Sequence, residues 1–184
     1  MYMSDEEKKP EGVELDGQEC PICSKNTLKL TEIEREIPYF GNVFIFSMQC
    51  TSCKYHKADV EPTEKGEPSK YSLEITEEDD MSIRIVKSSN ATVKIPRITT
   101  IEPGAAANGY ITNVEGILNR VKVQLEHARD NAEDKTERKK AKNMIKKLQN
   151  TMWGKDKLKL ILEDPSGNSA IISEKASKEK LKKR

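Results

Sequence analysis

All four cysteines of the chain fall in two pairs, Cys20-Pro21-Ile22-Cys23 and Cys50-Thr51-Ser52-Cys53, with twenty-six residues between the pairs. Each C-x-x-C spacing lets two thiolates from one tight turn grip one metal ion, and two such knuckles fill a tetrahedral shell. The same donors suit rubredoxin-like iron or an iron–sulfur cluster. Zinc is the expected metal, one ion per chain held by Cys20, Cys23, Cys50 and Cys53, because soft thiolates and tetrahedral geometry suit it. Four protein ligands leave no open position for water, so the expected role is structural. Two disulfides would need an oxidising compartment, and no basic-then-apolar leader is read here.

The spacer between the knuckles is longer than a usual zinc-ribbon loop, so an extended hairpin must fill it. Residues from Leu28 to Ile37 suit one strand and Val43-Phe44-Ile45-Phe46-Ser47-Met48 a second, joined by Pro38-Tyr39-Phe40-Gly41-Asn42. Tyr39 and Phe40 form an aromatic pair on that turn. They either cover the small core of the finger or anchor a partner, aromatic side chains being enriched at interface hot spots. His56 and His127 are expected in solvent, since four sulfurs already suffice and His127 has no cysteine or carboxylate motif beside it.

The net charge of +1 hides an asymmetry. Residues 1–68 hold 8 Lys and Arg against 14 Asp and Glu, whereas residues 127–184 hold 17 against 9. The acidic residues 1–18 are expected to be a flexible arm, with a four-cysteine ribbon over 19–62. The run Glu61-Pro-Thr-Glu-Lys-Gly-Glu-Pro-Ser-Lys70 reads as a linker separating two cores.

A β unit is expected over 69–173. Tyr71, Leu73 and Ile75 alternate with polar residues, as do Leu158, Leu160 and Leu162, and Ile83–Val86, Ala91–Ile95 and Ala170–Ile172 read as further strands. Between them the period changes. Thr112-Asn113-Val114-Glu115 has the form of a capping box, and Val114, Leu118, Val121, Leu125 and Ala128 make one helical stripe. Ala141, Ile145, Leu148 and Met152 make a second stripe, and Gly154 supplies a helix stop. The result is a helical hairpin at about 112–153, inserted in a β domain. Its Lys139, Lys140, Lys142, Lys146 and Lys147 read as a solvated face, and Trp153 as core. Residues 174–184 read as a Lys-rich tail, and Asp164–Asn168 as a turn.

Several phrases occur together in a fixed order. They are Cys20-Pro-Ile-Cys23, Ile37-Pro-Tyr-Phe-Gly41, Cys50-Thr-Ser-Cys53, Val86-Lys-Ser88, Ala91-Thr-Val-Lys-Ile-Pro96, Glu102-Pro-Gly104, Thr112-Asn-Val-Glu-Gly116 and Asp164-Pro-Ser-Gly-Asn-Ser169. With them the chain resembles the ZPR-type zinc-finger family, named for the eukaryotic zinc-finger protein that binds translation elongation factor 1-alpha. Eukaryotic members carry the module twice, and this sequence, with one copy, looks like the archaeal form. The resemblance implies an α+β, mainly β, architecture: an initiation-factor-2-type zinc ribbon, then a double-stranded β-helix domain bearing a helical hairpin. It also implies a non-enzymatic protein that binds elongation factor 1-alpha, preferring the GDP form, and assists its folding.

The residues themselves weigh against two other classes. A phosphate footprint needs clustered positive charge, and the finger half is acidic, which disfavours the alternative of a zinc-ribbon nucleic-acid-binding protein in translation or transcription. No nucleophile–base–acid set or phosphate-cradling glycine loop is read, so an enzyme is not expected. No apolar run approaches a membrane span, and the expected setting is the cytoplasm.

Overall fold

A computed structural model describes residues 12–38, 40–63 and 66–181. Four antiparallel strands form the finger in the order β1-β2-β3-β4: β1 Gly12–Glu19, β2 Asn26–Ile37, β3 Gly41–Cys50 and β4 His56–Pro62. The β2–β3 hairpin turns at Gly41, whose φ of 100° is open to glycine at no steric cost. Its strands stay paired from Ile37↔Gly41 to Leu28↔Cys50, and so carry the knuckles to the far end of the hairpin.

The remaining strands form two layers. One sheet has five strands in the order β12-β5-β10-β7-β8, from β5 Ser69–Ile75, β7 Thr92–Ile95, β8 Thr99–Ile101, β10 Leu158–Asp164 and β12 Ser177–Lys180. The other has three, in the order β11-β6-β9, from β6 Arg84–Lys87, β9 Tyr110–Asn113 and β11 Ala170–Ile172. A 3-10 turn, Glu78–Ser82, joins the sheets. The hairpin of α1 Val114–Asp130 and α2 Lys135–Met152 is inserted between β9 and β10. The described residues are thus mainly β with two α-helices. The alternation of Leu158, Leu160 and Leu162 sends all three inward, where they meet Leu73, Ile75, Val93 and Ile95 from the flanking strands. Val114, Ile117, Leu118 and Val121 from α1 and Leu148 from α2 close the same core. A fully buried aliphatic side chain contributes about 1.5–3 kcal/mol, so this cluster is the main source of stability in the β domain.

Several sequence expectations are corrected. The arm assigned to 1–18 is a strand over its last residues: β1 pairs with β2 from Gly12↔Ile33 to Glu19↔Asn26, while residues 1–11 lie outside the described residues. Every residue of β1 is exposed, so main-chain pairing holds it rather than burial, and composition carries no sign of it. The tail assigned to 174–184 contributes β12 in the same way. Ser177–Lys180 pair with Ser72–Ser69, helped by a Lys70–Glu179 ion pair at 3.2 Å and a Lys180–Glu67 ion pair at 2.9 Å. The helix cap is Asn113, not Thr112. Thr112 is committed to β9 opposite Ile85, and the Gly116 N–H donates to Asn113 Oδ1 at 2.8 Å. Trp153 is 57% exposed rather than core, at the C-cap of α2 and one position beyond the Ala141–Met152 stripe. Thr151 takes the inward position instead, fully buried, its hydroxyl donating to the Lys147 carbonyl at 3.0 Å.

Nor do the two cores separate at the Pro/Gly linker. Ile37, Val43 and Val60 of the finger pack in one cluster with Val86 of the β domain, flanked by Phe40, Ile45, Ile111 and Ile172. Hydrogen bonds close the seam. Gly109 N–H donates to the Ala58 carbonyl at 2.9 Å, Ala58 N–H to Asn108 Oδ1 at 2.8 Å, and Ser89 N–H and hydroxyl both donate to the Asp59 carboxylate. Gly109 is required here, because a Cβ would strike Asp59 Oδ1 and come within 2.9 Å of the Val60 nitrogen.

Candidate metal centre

The two knuckles are built alike. In the first, Ser24 N–H donates to the Cys20 carbonyl at 2.8 Å and Cys20 N–H to the Lys25 carbonyl at 3.0 Å. In the second, Lys54 N–H donates to the Cys50 carbonyl at 3.1 Å and Cys50 N–H to the Tyr55 carbonyl at 2.8 Å. Each turn closes through a left-handed residue, Ser24 at φ 54° and Lys54 at φ 63°. Thr51 N–H donates to the Thr27 carbonyl at 3.1 Å and ties one knuckle to the strand that leaves the other. Beneath them Cys20, Leu28 and Cys50 form a small buried cluster with Leu30 and Tyr55 packed against it.

The four sulfurs converge. Their Sγ atoms all lie within 4.8 Å of one another. Cys20 Sγ is 3.7 Å from Cys53 Sγ, and Cys23 Sγ is 3.7 Å from Cys50 Sγ. A regular tetrahedron of zinc–sulfur bonds of about 2.3 Å has edges of about 3.8 Å, so the spacing fits zinc. Backbone N–H groups point at the sulfurs, Ile22 N at 3.5 Å from Cys20 Sγ and Cys53 N at 3.5 Å from Cys50 Sγ, and the Thr27 hydroxyl lies 3.3 Å from Cys50 Sγ. Donors of this kind orient thiolate ligands and spread their charge.

The electrostatics lead to the same conclusion. The Cys53 N–H and then the Thr27 hydroxyl, which outweigh burial, hold the Cys50 thiol down at about 6. The Tyr55 N–H lowers Cys53, yet burial and the thiols of Cys50, Cys20 and Cys23 push it up to about 12. Four thiolates this close repel, and a divalent cation is what lets all four ionise together. The four cysteines are arranged as a zinc-binding site, with every ligand supplied by protein.

The other residues singled out by the sequence lie elsewhere. Phe40 is half-buried in the seam cluster at the opposite end of the β2–β3 hairpin from the sulfurs, and Tyr39 lies outside the described residues. His56 pairs with Gln49 in the sheet, exposed, and His127 is exposed on α1. Asp164 does more than terminate a turn. It is fully buried and accepts from Ser166 N–H at 2.8 Å and from the hydroxyls of Ser166 at 2.6 Å, Ser88 at 2.8 Å and Ser169 at 2.5 Å. This knot ties the β10–β11 turn to the end of β6, with each carboxylate oxygen satisfied. Sequence reasoning missed Lys87, 5% exposed, because lysine carries no apolar signal by which burial is read.

Comparison with known proteins agrees with the geometry. A model described as the ZPR1 zinc-finger domain matches residues 13–68, and one described as the ZPR1 jelly-roll domain matches residues 79–184. The chain is 41% identical over 165 residues to an uncharacterized ZPR1-like protein of Methanocaldococcus jannaschii, covering 89% of this chain and 83% of that protein. It is 39% identical over 184 residues to a similar protein of Pyrococcus horikoshii, covering 97% and 82% of the two chains. Against the zinc finger chaperone zpr1 of Schizosaccharomyces pombe it is 30% identical over 171 residues, which is 90% of this chain but 36% of that one. One zinc-finger domain followed by one jelly-roll domain, with a four-cysteine zinc site at the tip of the first, makes this chain a member of the ZPR1 family.

Proposed function

We propose that this chain is a non-enzymatic binding protein that captures the GTPase elongation factor 1-alpha and assists its folding. One observation carries the reading: the finger sheet has two apolar faces, and the jelly-roll domain covers only one. Val43, Ile45 and Val60 point into the seam. The neighbouring residues point the other way, by strand alternation. Leu15, Leu30 and Met48 form one cross-strand row, and Val13, Glu32 and Phe46 the next. On this second face Val13 is 61% exposed, Leu15 49% and Met48 36%, around a groove of about 160 Å³. An antiparallel sheet with one face packed normally shows polar residues on the other. A contiguous apolar row in water marks a docking surface. The zinc site braces this sheet from its end, so little conformational entropy is lost when the face docks.

The partner is the one that the family resemblance implies, and the name of the Schizosaccharomyces pombe relative, a zinc finger chaperone, supports the folding role alone. The GDP form is the preferred target, which requires contact with a part of the GTPase that GTP rearranges. The exposed part of Phe40, at the other end of the same hairpin, forms the second contact, together with Tyr39, its neighbour in the sequence. Calorimetry against elongation factor 1-alpha from the same organism tests the reading. Leu15→Glu with Met48→Glu is expected to cost at least about 2 kcal/mol of binding, with zinc content unchanged. Undiminished affinity would move the contact off this face, and no binding by the wild type would remove the partner.

A further inference from the structure

A cleft of about 460 Å³ opens on the jelly-roll domain beside α1, far larger than the finger groove. Its floor is apolar, with Val93, Ile117 and Val121 all buried. Two cations line it, Lys87 from the end of β6 and Arg120 from α1. Both stand over the Tyr110 ring, the Lys87 Nζ 5.4 Å and the Arg120 guanidinium carbon 4.2 Å from its centroid.

The charge balance of this cleft is unusual. Lys87 is 95% buried by its 5% exposure, yet its ammonium donates a single hydrogen bond, to the Ser88 carbonyl at 2.9 Å. An ammonium has three donors, so two are unused among the described residues. Among the described residues, neither Lys87 nor Arg120 forms an ion pair with a carboxylate. Glu102 lines the same cleft and pairs with neither. Burial holds the Lys87 ammonium below its ordinary range, against the attraction of Asp164 and Asp59, and the nearby Arg120 charge lowers it further. A buried ammonium short of partners beside a second cation is costly, and an anion between them relieves both.

We propose that the cleft binds an organic carboxylate carrying a short apolar chain. The carboxylate oxygens accept from the free Lys87 N–H groups and from the planar guanidinium of Arg120, whose fork matches a carboxylate. The chain lies on Val93, Ile117 and Val121. The apolar floor argues against inorganic phosphate, whose remaining oxygens would be desolvated without donors. The ligand is either a free acid or the terminal carboxylate of a peptide, which share this chemistry. The inference does not rest on the GTPase reading, because the finger face and the cleft are formed by different residues.

Methyl chemical-shift mapping on the full zinc-loaded chain tests it. The probes are 4-methylpentanoate, its amide, acetyl-alanyl-leucine, the amide of that dipeptide, and inorganic phosphate. Saturable shifts at the Val93, Ile117 and Val121 methyls are expected from an acid, at least about tenfold weaker from the matched amide, because a charge-assisted hydrogen bond is lost. Arg120→Gln, at an exposed position, is expected to abolish them while the unfolding midpoint holds. Lys87→Met is expected to do the same, and if it fails to fold the Arg120 variant alone decides. Shifts from the dipeptide acid alone would identify a chain terminus as the source, and shifts from the free acid alone a small molecule. No shift from either acid, equal affinity for acid and amide, tighter binding of phosphate, or unchanged binding in Arg120→Gln would overturn the proposal.

Discussion

Trp153 and Thr151 sit two positions apart at the end of α2, and burial treats them in opposite ways. A helix turns by about 100° per residue, so inward positions after Leu148 fall at 151 and 152, and the next residue points out. Hydrophobicity alone favoured the tryptophan, but angular position decided. Trp153→Ala should therefore change the unfolding free energy by less than about 1 kcal/mol, losing only partial burial and a Lys155 ammonium 5.1 Å from the ring. Leu148→Ala, at a fully buried position, should cost about 2–5 kcal/mol. Urea melts of the two variants check this. A second residue predicts pH dependence. Asp80 is 2% exposed; burial pushes its carboxyl up, but Lys175 at 2.7 Å and the N–H groups of Thr76 and Glu77 outweigh that and hold it below the usual range. A depressed carboxyl stabilises the fold above its unfolded value, about 3.9, and loses that contribution as pH falls through the lower folded value. The stability gap between wild type and Asp80→Asn, measured from urea midpoints, should narrow below about pH 4. A gap constant across that range would contradict the assignment.

At the scale of elements, what the sequence showed and what it hid divide along burial. Strands with a buried face were legible, because Leu158, Leu160 and Leu162 or Tyr71, Leu73 and Ile75 write their alternation into the chain. The knuckles were legible because ligand spacing is local. β12 was not, since edge pairing of polar residues leaves no pattern of apolar residues, and β1 was not, because its one alternating pair, Val13 and Leu15, is too short a signal among acidic and polar neighbours. The seam was not either, because Val60 meets Val86 across a Pro- and Gly-bearing stretch that reads as a boundary. That seam changes what loss of the metal should do. Cys50→Ser removes one of four ligands, and structural zinc in finger peptides supplies about 10–16 kcal/mol. Amide exchange in the variant should rise throughout β2–β4 and also in β6 and β9, whose Val86 and Ile111 pack on Val43 and Val60. It should stay slow around Leu73, Leu118 and Leu160, in the separate main core. Unchanged exchange in β6 and β9 would mean that the seam is contact without energetic coupling.

The whole molecule joins two domains by giving one face of a metal-braced sheet to the jelly-roll domain and leaving the other in water. Among the described residues no helix is long and apolar enough to cross a membrane. The chain spans 36% of the length of the Schizosaccharomyces pombe chaperone, and what it matches there is one zinc-finger domain and one jelly-roll domain. Recovery of folded elongation factor 1-alpha from denaturant is the measurement that tests the central claim most directly. Recovered nucleotide-binding factor should rise with added zinc-loaded protein and level off near a fixed stoichiometric ratio, as expected of a binder rather than a catalyst. Leu15→Glu with Met48→Glu should remove the rise, although that variant keeps its zinc. No increase with the wild type, or an equal increase with the double variant, would contradict the account.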